Sequence, residues 1–244
     1  MMKLKLFEQV KKKKNKRPEI CLSLSCGNIY DAASEIAEFG EFCQIIEWCA
    51  DKMDGAENYT KETFIIDAEK IKKLCNKKKL IIDYKGDEVM TNKILRWSMD
   101  VADIIDIDAG NPELERLVRE AKRKRVETLI SYHVFDHMPS RNEIAEQYLK
   151  MEKRGGDILK IACTASNEVD TYAILEGAAS YSQLRAAKPI VAIAMGEEGQ
   201  VSRICAGDFG STISWACGSI PTAPGQFNAR QLAKYMDNYY KEEK

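Results

Sequence analysis

Eight short apolar runs, at residues 20–25, 44–49, 79–84, 104–108, 128–133, 158–163, 189–194 and 211–216, alternate with stretches of helical spacing. Runs of this length bounded by polar or turn residues read as buried strands. Between them, Asn111-Pro112 opens a helix with Leu114, Leu117, Val118 and Ala121 on one face. Ser140 and Glu143 form a capping box ahead of Ile144, Tyr148 and Met151. Phe64, Ala68, Ile71 and Cys75 follow Thr60 as another apolar stripe, and Leu232, Tyr235, Met236 and Tyr239 make a last one beyond Asn228. Gln200 to Gly207 reads as a short helix or an irregular segment. Strands alternating with helices imply parallel pairing through right-handed crossovers, and eight such units predict an α/β fold, a single-domain (β/α)8 TIM barrel over 20–244. Residues 1–19 are then an N-terminal segment covering the barrel bottom or forming a loop. The competing open, doubly wound sheet usually carries a glycine-rich phosphate turn after its first strand, and Ser25-Cys26-Gly27-Asn28 is not one.

A formal charge of -1 over 244 residues gives no field favouring nucleic acid or an anionic membrane. The basic run Lys11-Lys12-Lys13-Lys14-Asn15-Lys16-Arg17 is local and reads as a solvated loop. Met1 to Phe7 lacks the apolar stretch of a signal peptide, and no run reaches membrane-spanning length. The eight cysteines include no C-x-x-C pair and sit mostly in apolar runs, which predicts reduced thiols in a cytoplasmic protein. With histidine only at 133 and 137, no metal site and no cofactor is expected, and the partner is a small molecule.

In a barrel the C-terminal strand ends face the active site. Polar residues gather there: Glu47 and Asp51 on strand two, Lys85 on three, Asp106 and Asp108 on four, and His133 on five. Arg203 follows strand seven, and Thr222 and Gln226 follow strand eight. Lys160 lies inside the run Ile158-Leu159-Lys160-Ile161-Ala162-Cys163, where an unpaired ammonium costs several kcal/mol. Such an apolar interior is expected to hold the amine neutral, as an imine-forming nucleophile needs, with His133 as proton shuttle. The plain alternatives are an edge-strand lysine snorkelling to water and a satisfied core histidine. Convergence of so many polar strand ends on one mouth favours the chemical reading.

The motifs Ser131-Tyr132-His133, Gly156-Asp157-Ile158-Leu159-Lys160-Ile161-Ala162, Met195-Gly196-x-x-Gly199-x-x-Ser202-Arg203, Phe209-Gly210-Ser211 and Ala223-Pro224-Gly225-Gln226 resemble, in order and spacing, type I 3-dehydroquinate dehydratase. Glu47-Trp48 with Asp51 and Asp106-Ile107-Asp108 fit as well. The resemblance implies a hydro-lyase that converts 3-dehydroquinate to 3-dehydroshikimate, in the shikimate pathway or in quinate breakdown. In it Lys160 matches the Schiff-base lysine, His133 the acid/base, and Glu88 stands near the position of the acid that orients the histidine. Glu47, Lys85, Arg203, Thr222, Gln226 and Ser23 are the implied substrate-binding residues, Arg203 for the carboxylate and Thr222 with Gln226 in the closing loop. A homodimer is also implied.

Departures fall in the substrate shell. The family's E-W-R-x-D reads Glu47-Trp48-Cys49-Ala50-Asp51, and Lys85 replaces an arginine. Asp87 and Glu88 lie at a shifted spacing, and Val134 follows His133 with an acid only at Asp136. These changes point to two alternatives: a Schiff-base lyase paralogue acting on a related hydroxy ketone acid, or a non-catalytic ligand-binding homologue.

Overall fold

A computed structural model describes residues 17–185 and 188–241. Its strands are β1 Glu19–Leu24, β2 Ile45–Cys49, β3 Lys79–Asp83, β4 Ile104–Asp108, β5 Glu127–Val134, β6 Ile158–Thr164, β7 Ile190–Met195 and β8 Ile213–Cys217. The helices are α1 Ile29–Phe39, α2 Lys61–Leu74, α3 Glu88–Ser98, α4 Leu114–Lys124, α5 Arg141–Lys153, α6 Glu168–Arg185, α7 Gln200–Cys205 and α8 Ala229–Tyr239. All strand pairings are parallel, in the order β7-β6-β5-β4-β3-β2-β1-β8. The ring closes ahead of β8, where Ser211 bridges Ile190 and Thr212 N donates to Ile190 O at 2.8 Å. This is the expected TIM barrel, and each strand lies within two residues of the run that announced it.

Local chemistry sets the helix starts. Ser140 and Glu143 form the reciprocal capping box of α5, Thr60 and Thr63 that of α2, and Asn228 accepts from Gln231 N at the start of α8. α4 begins later than Asn111-Pro112 suggests, because the Asn111 side chain accepts from Glu113 N at 2.8 Å and makes a turn before Leu114. Gln200–Cys205 is a short helix followed by a 3-10 turn over Ala206–Phe209. Residues 1–16, which hold most of the N-terminal segment and nearly all of the lysine run, fall outside the described residues, and Glu19 already belongs to β1. Among the described residues no helix is long and apolar enough to cross a membrane.

Strand alternation splits the core in two. Trp48, Leu80, Ile105, Ile130, Leu159 and Ala192 point outward against the helices, while Cys21, Ile45, Ile81, Ile104, Leu129, Ile158, Val191 and Ile213 fill the barrel floor. Two residues further along each strand stands a second interior layer: Ser23, Glu47, Asp83, Asp106, Ser131, Lys160, Ile193 and Trp215, all buried. The barrel therefore passes from hydrocarbon to charge within one step of the pleat.

Candidate active site

The cavity at the C-terminal mouth is lined by most of this second layer and by residues above it, among them Ser23, Glu47, Cys49, Asp83, Lys85, His133, Lys160, Arg203, Trp215, Thr222 and Gln226. Lys160 stands at its floor, 6% exposed. Its Nζ lies 3.4 Å from Glu47 Oε1 and 3.7 Å from Asp106 Oδ2, and 4.2 Å from the centre of the Trp215 ring. The expectation of a neutral amine in apolar surroundings is overturned. Leu159, Ile161 and Cys163 face the helices, whereas Lys160 turns inward among carboxylates. Burial opposes its charge, but Glu47 and Asp106 outweigh burial and raise its pKa above the ordinary lysine value. Lys160 is thus held as an ammonium.

Glu47 is held as its partner. Ser23 Oγ donates to Glu47 Oε2 at 2.6 Å, and although burial works against the carboxylate, Lys160, Ser23 and Trp215 together keep its pKa lowered. Asp106 is different. Both of its oxygens are buried without a hydrogen bond of ordinary geometry, with Lys160 and Ser131 nearby, and burial pushes its pKa up. Asp83 is pushed up to about 7 by burial and then by Asp106, against the pull of Lys85. Among the described residues, three buried acids share this layer with one buried amine.

His133 rises from β5 one step above Ser131, and its register partner on β6 is Ala162, two residues beyond Lys160. Burial, then the Lys160 and Lys85 ammonium groups, lower its pKa to about 3, so the imidazole is neutral. Its ring stacks on Phe135 at 6.0 Å and 6°, and among the described residues it has no hydrogen-bond partner. Among the described residues, none of the acids expected to orient it is paired with it. Glu88 is exposed in the first turn of α3 and lies outside the cavity lining; Asp87 is spent as the α3 cap, accepting from Met90 N; Asp136 pairs with His137 at 2.7 Å.

Arg203 is 1% exposed and donates to three backbone carbonyls, Gly225 at 3.0 Å, Trp215 at 3.2 Å and Pro224 at 3.2 Å. A guanidinium has five N–H groups, so two remain for a ligand in the cavity it lines. Burial lowers its pKa to about 10. Those bonds also pin the loop carrying Thr222 and Gln226, whose Oε1 accepts from Thr222 N, Thr222 Oγ1 and Ala223 N. Gly225, at φ 72, packs so tightly on Gly196 that a Cβ would fall 2.1 Å from the Gly196 carbonyl oxygen. The β7 and β8 loops are therefore clasped together, with Gly196 N donating to Pro224 O.

Ser23, Glu47, Lys85, Lys160, His133, Arg203, Thr222 and Gln226 are brought to one cavity; Glu88 lies apart, Asp106 is buried behind the lining, and Asp108 is exposed and accepts from Gly110 N at 2.7 Å. Reading the sequence by strand ends missed Asp83 and Trp215. The signal for both was period-two alternation, since Ile81-x-Asp83-x-Lys85 and Ile213-x-Trp215 share one face with residues already singled out.

A family model described as type I 3-dehydroquinase matches residues 20–243. The 3-dehydroquinate dehydratase of Clostridioides difficile is 26% identical over 239 residues, covering 92% of this chain and 93% of the relative. That of Salmonella agona is 28% identical over 229 residues, covering 88% and 90%. Among solved structures, the type I 3-dehydroquinate dehydratase of Clostridium difficile with covalently modified comenic acid superposes with TM-score 0.83 at 23% identity, over 92% of each chain. The enzyme of Geobacillus kaustophilus gives TM-score 0.83 at 19% identity, over 92% and 93%. Fold, ordered motifs and family model agree: the chain belongs to the type I 3-dehydroquinase family, a family of hydro-lyases.

Proposed function

We propose that this protein dehydrates 3-dehydroquinate to 3-dehydroshikimate through an imine on Lys160, with His133 moving protons. The observation that carries the reading is the buried Lys160 ammonium between Glu47 and Asp106, with a neutral imidazole on the adjacent strand. Lys160 first gives a proton to Glu47 or to His133; its free amine attacks the substrate ketone, and the same proton returns to the carbinolamine hydroxyl, which departs as water and leaves an iminium. That cation takes the place of the ammonium between the same two carboxylates, so little charge moves in this step. Neutral His133 removes the C2 proton, while the electron pair flows into the iminium. Protonated His133 then returns its proton to the C1 hydroxyl, which leaves as water. Hydrolysis of the conjugated iminium frees the product and the amine. The two free N–H groups of Arg203 hold the substrate carboxylate, and Gln226 and Thr222 close above it.

Borohydride trapping tests the reading. Reduction in the presence of 3-dehydroquinate, followed by peptide mass analysis, is expected to place one adduct on Lys160, together with enone absorbance in the untrapped reaction. An adduct without turnover transfers the chemistry to a related hydroxy ketone acid. Substrate-induced stabilisation with neither adduct nor enone leaves a ligand-binding homologue and overturns the proposal.

A further inference from the structure

No hydrogen bond orients His133 among the described residues. Asp87 caps α3, Glu88 faces solvent and Asp136 pairs with His137. The torsion that turns an imidazole about its Cβ–Cγ bond is broad and roughly two-fold, so a ring without a partner is free to tilt and to exchange its two nitrogens. One contact restricts it. Phe135 lies parallel to the imidazole, with ring centres 6.0 Å apart and 6° between the planes. Parallel rings at this separation are offset, a favoured aromatic geometry. Ser131, His133 and Phe135 alternate on the inward face of β5 and its extension, while Tyr132 and Val134 turn to the helices. Phe135 therefore covers the imidazole from the mouth side, and both rings line the cavity. Phe135 is 70% exposed. A phenylalanine alone at a surface is ordinary, but burial does not account for one laid against the proposed base.

Building on the reaction proposed above, we infer that Phe135 is the positioning residue of His133: its ring clamps the plane of the imidazole at the cavity wall and does the work of an orienting acid. The clamp adds no charge. A carboxylate on the outer nitrogen would favour the imidazolium, whereas a phenyl ring leaves the imidazole neutral, beside the Lys160 and Lys85 ammonium groups that already oppose a further cation. Stacking also occupies a face of the imidazole and leaves its edge, which carries both nitrogens, available to a ligand seated on Lys160.

The test compares Phe135→Tyr, Phe135→Leu and Phe135→Ala, which keep the ring, the bulk and neither. Because the side chain is mostly exposed, each replacement removes little buried surface and the variants fold. In Phe135→Ala and Phe135→Leu, kcat for 3-dehydroquinate is expected to fall about ten- to a hundredfold with KM within about threefold, while Phe135→Tyr stays within about threefold of the unaltered protein in both. With substrate deuterated at C2, the isotope effect on kcat is expected to be retained or to grow, since proton removal is the step that a loose imidazole slows. Equal losses in the tyrosine and leucine variants overturn the clamp, as does a vanished isotope effect or a loss carried by KM alone, which makes Phe135 a wall for the ligand. Borohydride trapping separates this outcome from the reaction: an adduct on Lys160 with kcat unchanged in all three variants removes the clamp and leaves the mechanism standing. If the unaltered protein neither traps nor turns over, the reaction is rejected and carbethoxylation by diethyl pyrocarbonate decides the clamp, with exposed His137 as reference. The rate at His133 is then expected to rise several-fold in Phe135→Ala and to stay near the unaltered rate in Phe135→Tyr, and equal rates in the two overturn it.

Discussion

Replacing Lys160 with methionine keeps the volume of the stem against Trp215 and removes the ammonium from between Glu47 Oε1 at 3.4 Å and Asp106 Oδ2 at 3.7 Å. At an effective dielectric constant of about 20, each contact carries on the order of 4–5 kcal/mol of attraction. The variant does not retain both charges without their counter-ion; the cheaper course is to protonate Glu47. That proton sets a ceiling on the cost: raising an ordinary glutamate from a pKa of ~4.3 to above the working pH takes about 4 kcal/mol at pH 7.5 and about 1 kcal/mol at pH 5. The sign follows from the same groups. In the unaltered protein Glu47 has a lowered pKa, and the stability it contributes is present above the unfolded value and lost as pH falls. In Lys160→Met the pKa of Glu47 is raised, so stability is lost as pH rises. Urea unfolding followed by tryptophan fluorescence at about pH 5 and pH 7.5 is expected to show a destabilisation of roughly 3–4 kcal/mol at the higher pH that shrinks to about 1 kcal/mol at the lower. A loss that is the same at both pH values, or no loss at pH 7.5, would refute the reasoning, because either result means that Glu47 does not face the lysine's charge.

His133 gives the complementary pH effect. Its pKa is depressed to about 3, so its contribution is complete above the unfolded value of ~6.5 and fades as pH falls, by at most about 2 kcal/mol at pH 5; His133→Gln is expected to flatten that part of the urea-midpoint profile, and an unchanged slope counts against it. Arg203→Lys loses at least two of three bonds to the carbonyls of 215, 224 and 225. A cost of about 1–3 kcal/mol is expected in unfolding, with KM rising more than kcat falls because the loop of Thr222 and Gln226 loosens; an unaltered KM rejects this role. Phe64 stacks on Trp48 at 5.7 Å, abuts Tyr59 and Trp97, and is fully buried outside the barrel wall. Phe64→Ala is expected to cost about 3–5 kcal/mol in urea unfolding while leaving activity per folded molecule intact, and a matching loss of kcat would contradict the separation of outer core from site.

The sequence displays the barrel because each strand carries its own signature in a handful of contiguous residues, and capping pairs such as Ser140 with Glu143 fix helix starts without help from the rest of the chain. Strand ends likewise announce most of the mouth, since topology sends every C-terminal end to one face. What a side chain meets across the barrel is set by non-adjacent strands, and there local reading fails. Lys160 sits between a leucine and an isoleucine and near a cysteine in the chain, yet its neighbours in space come from β2, β4 and β8. An apolar run in a parallel strand describes the outer face and the floor, and it says nothing about the interior residue opposite. Glu88 fails for a related reason: one residue past the Asp87 cap, its position is dictated by the first turn of α3, which directs it to solvent instead of toward the cavity.

Layering resolves why so charged a site does not unfold its own barrel. Glu47, Asp83 and Asp106 each stand one pleat step above an isoleucine, Ile45, Ile81 and Ile104, which seals the floor and leaves the acids facing the mouth. Burial of three carboxylates with one amine in the same layer is costly, and that cost appears as the raised pKa values of Asp83 and Asp106. In the proposed reaction, a carbonyl that turns the Lys160 ammonium into an iminium conserves the charge between Glu47 and Asp106. The proposed imine would thus form where the charges are already arranged around a cation, which is the condition under which a buried charge promotes catalysis instead of merely weakening the core.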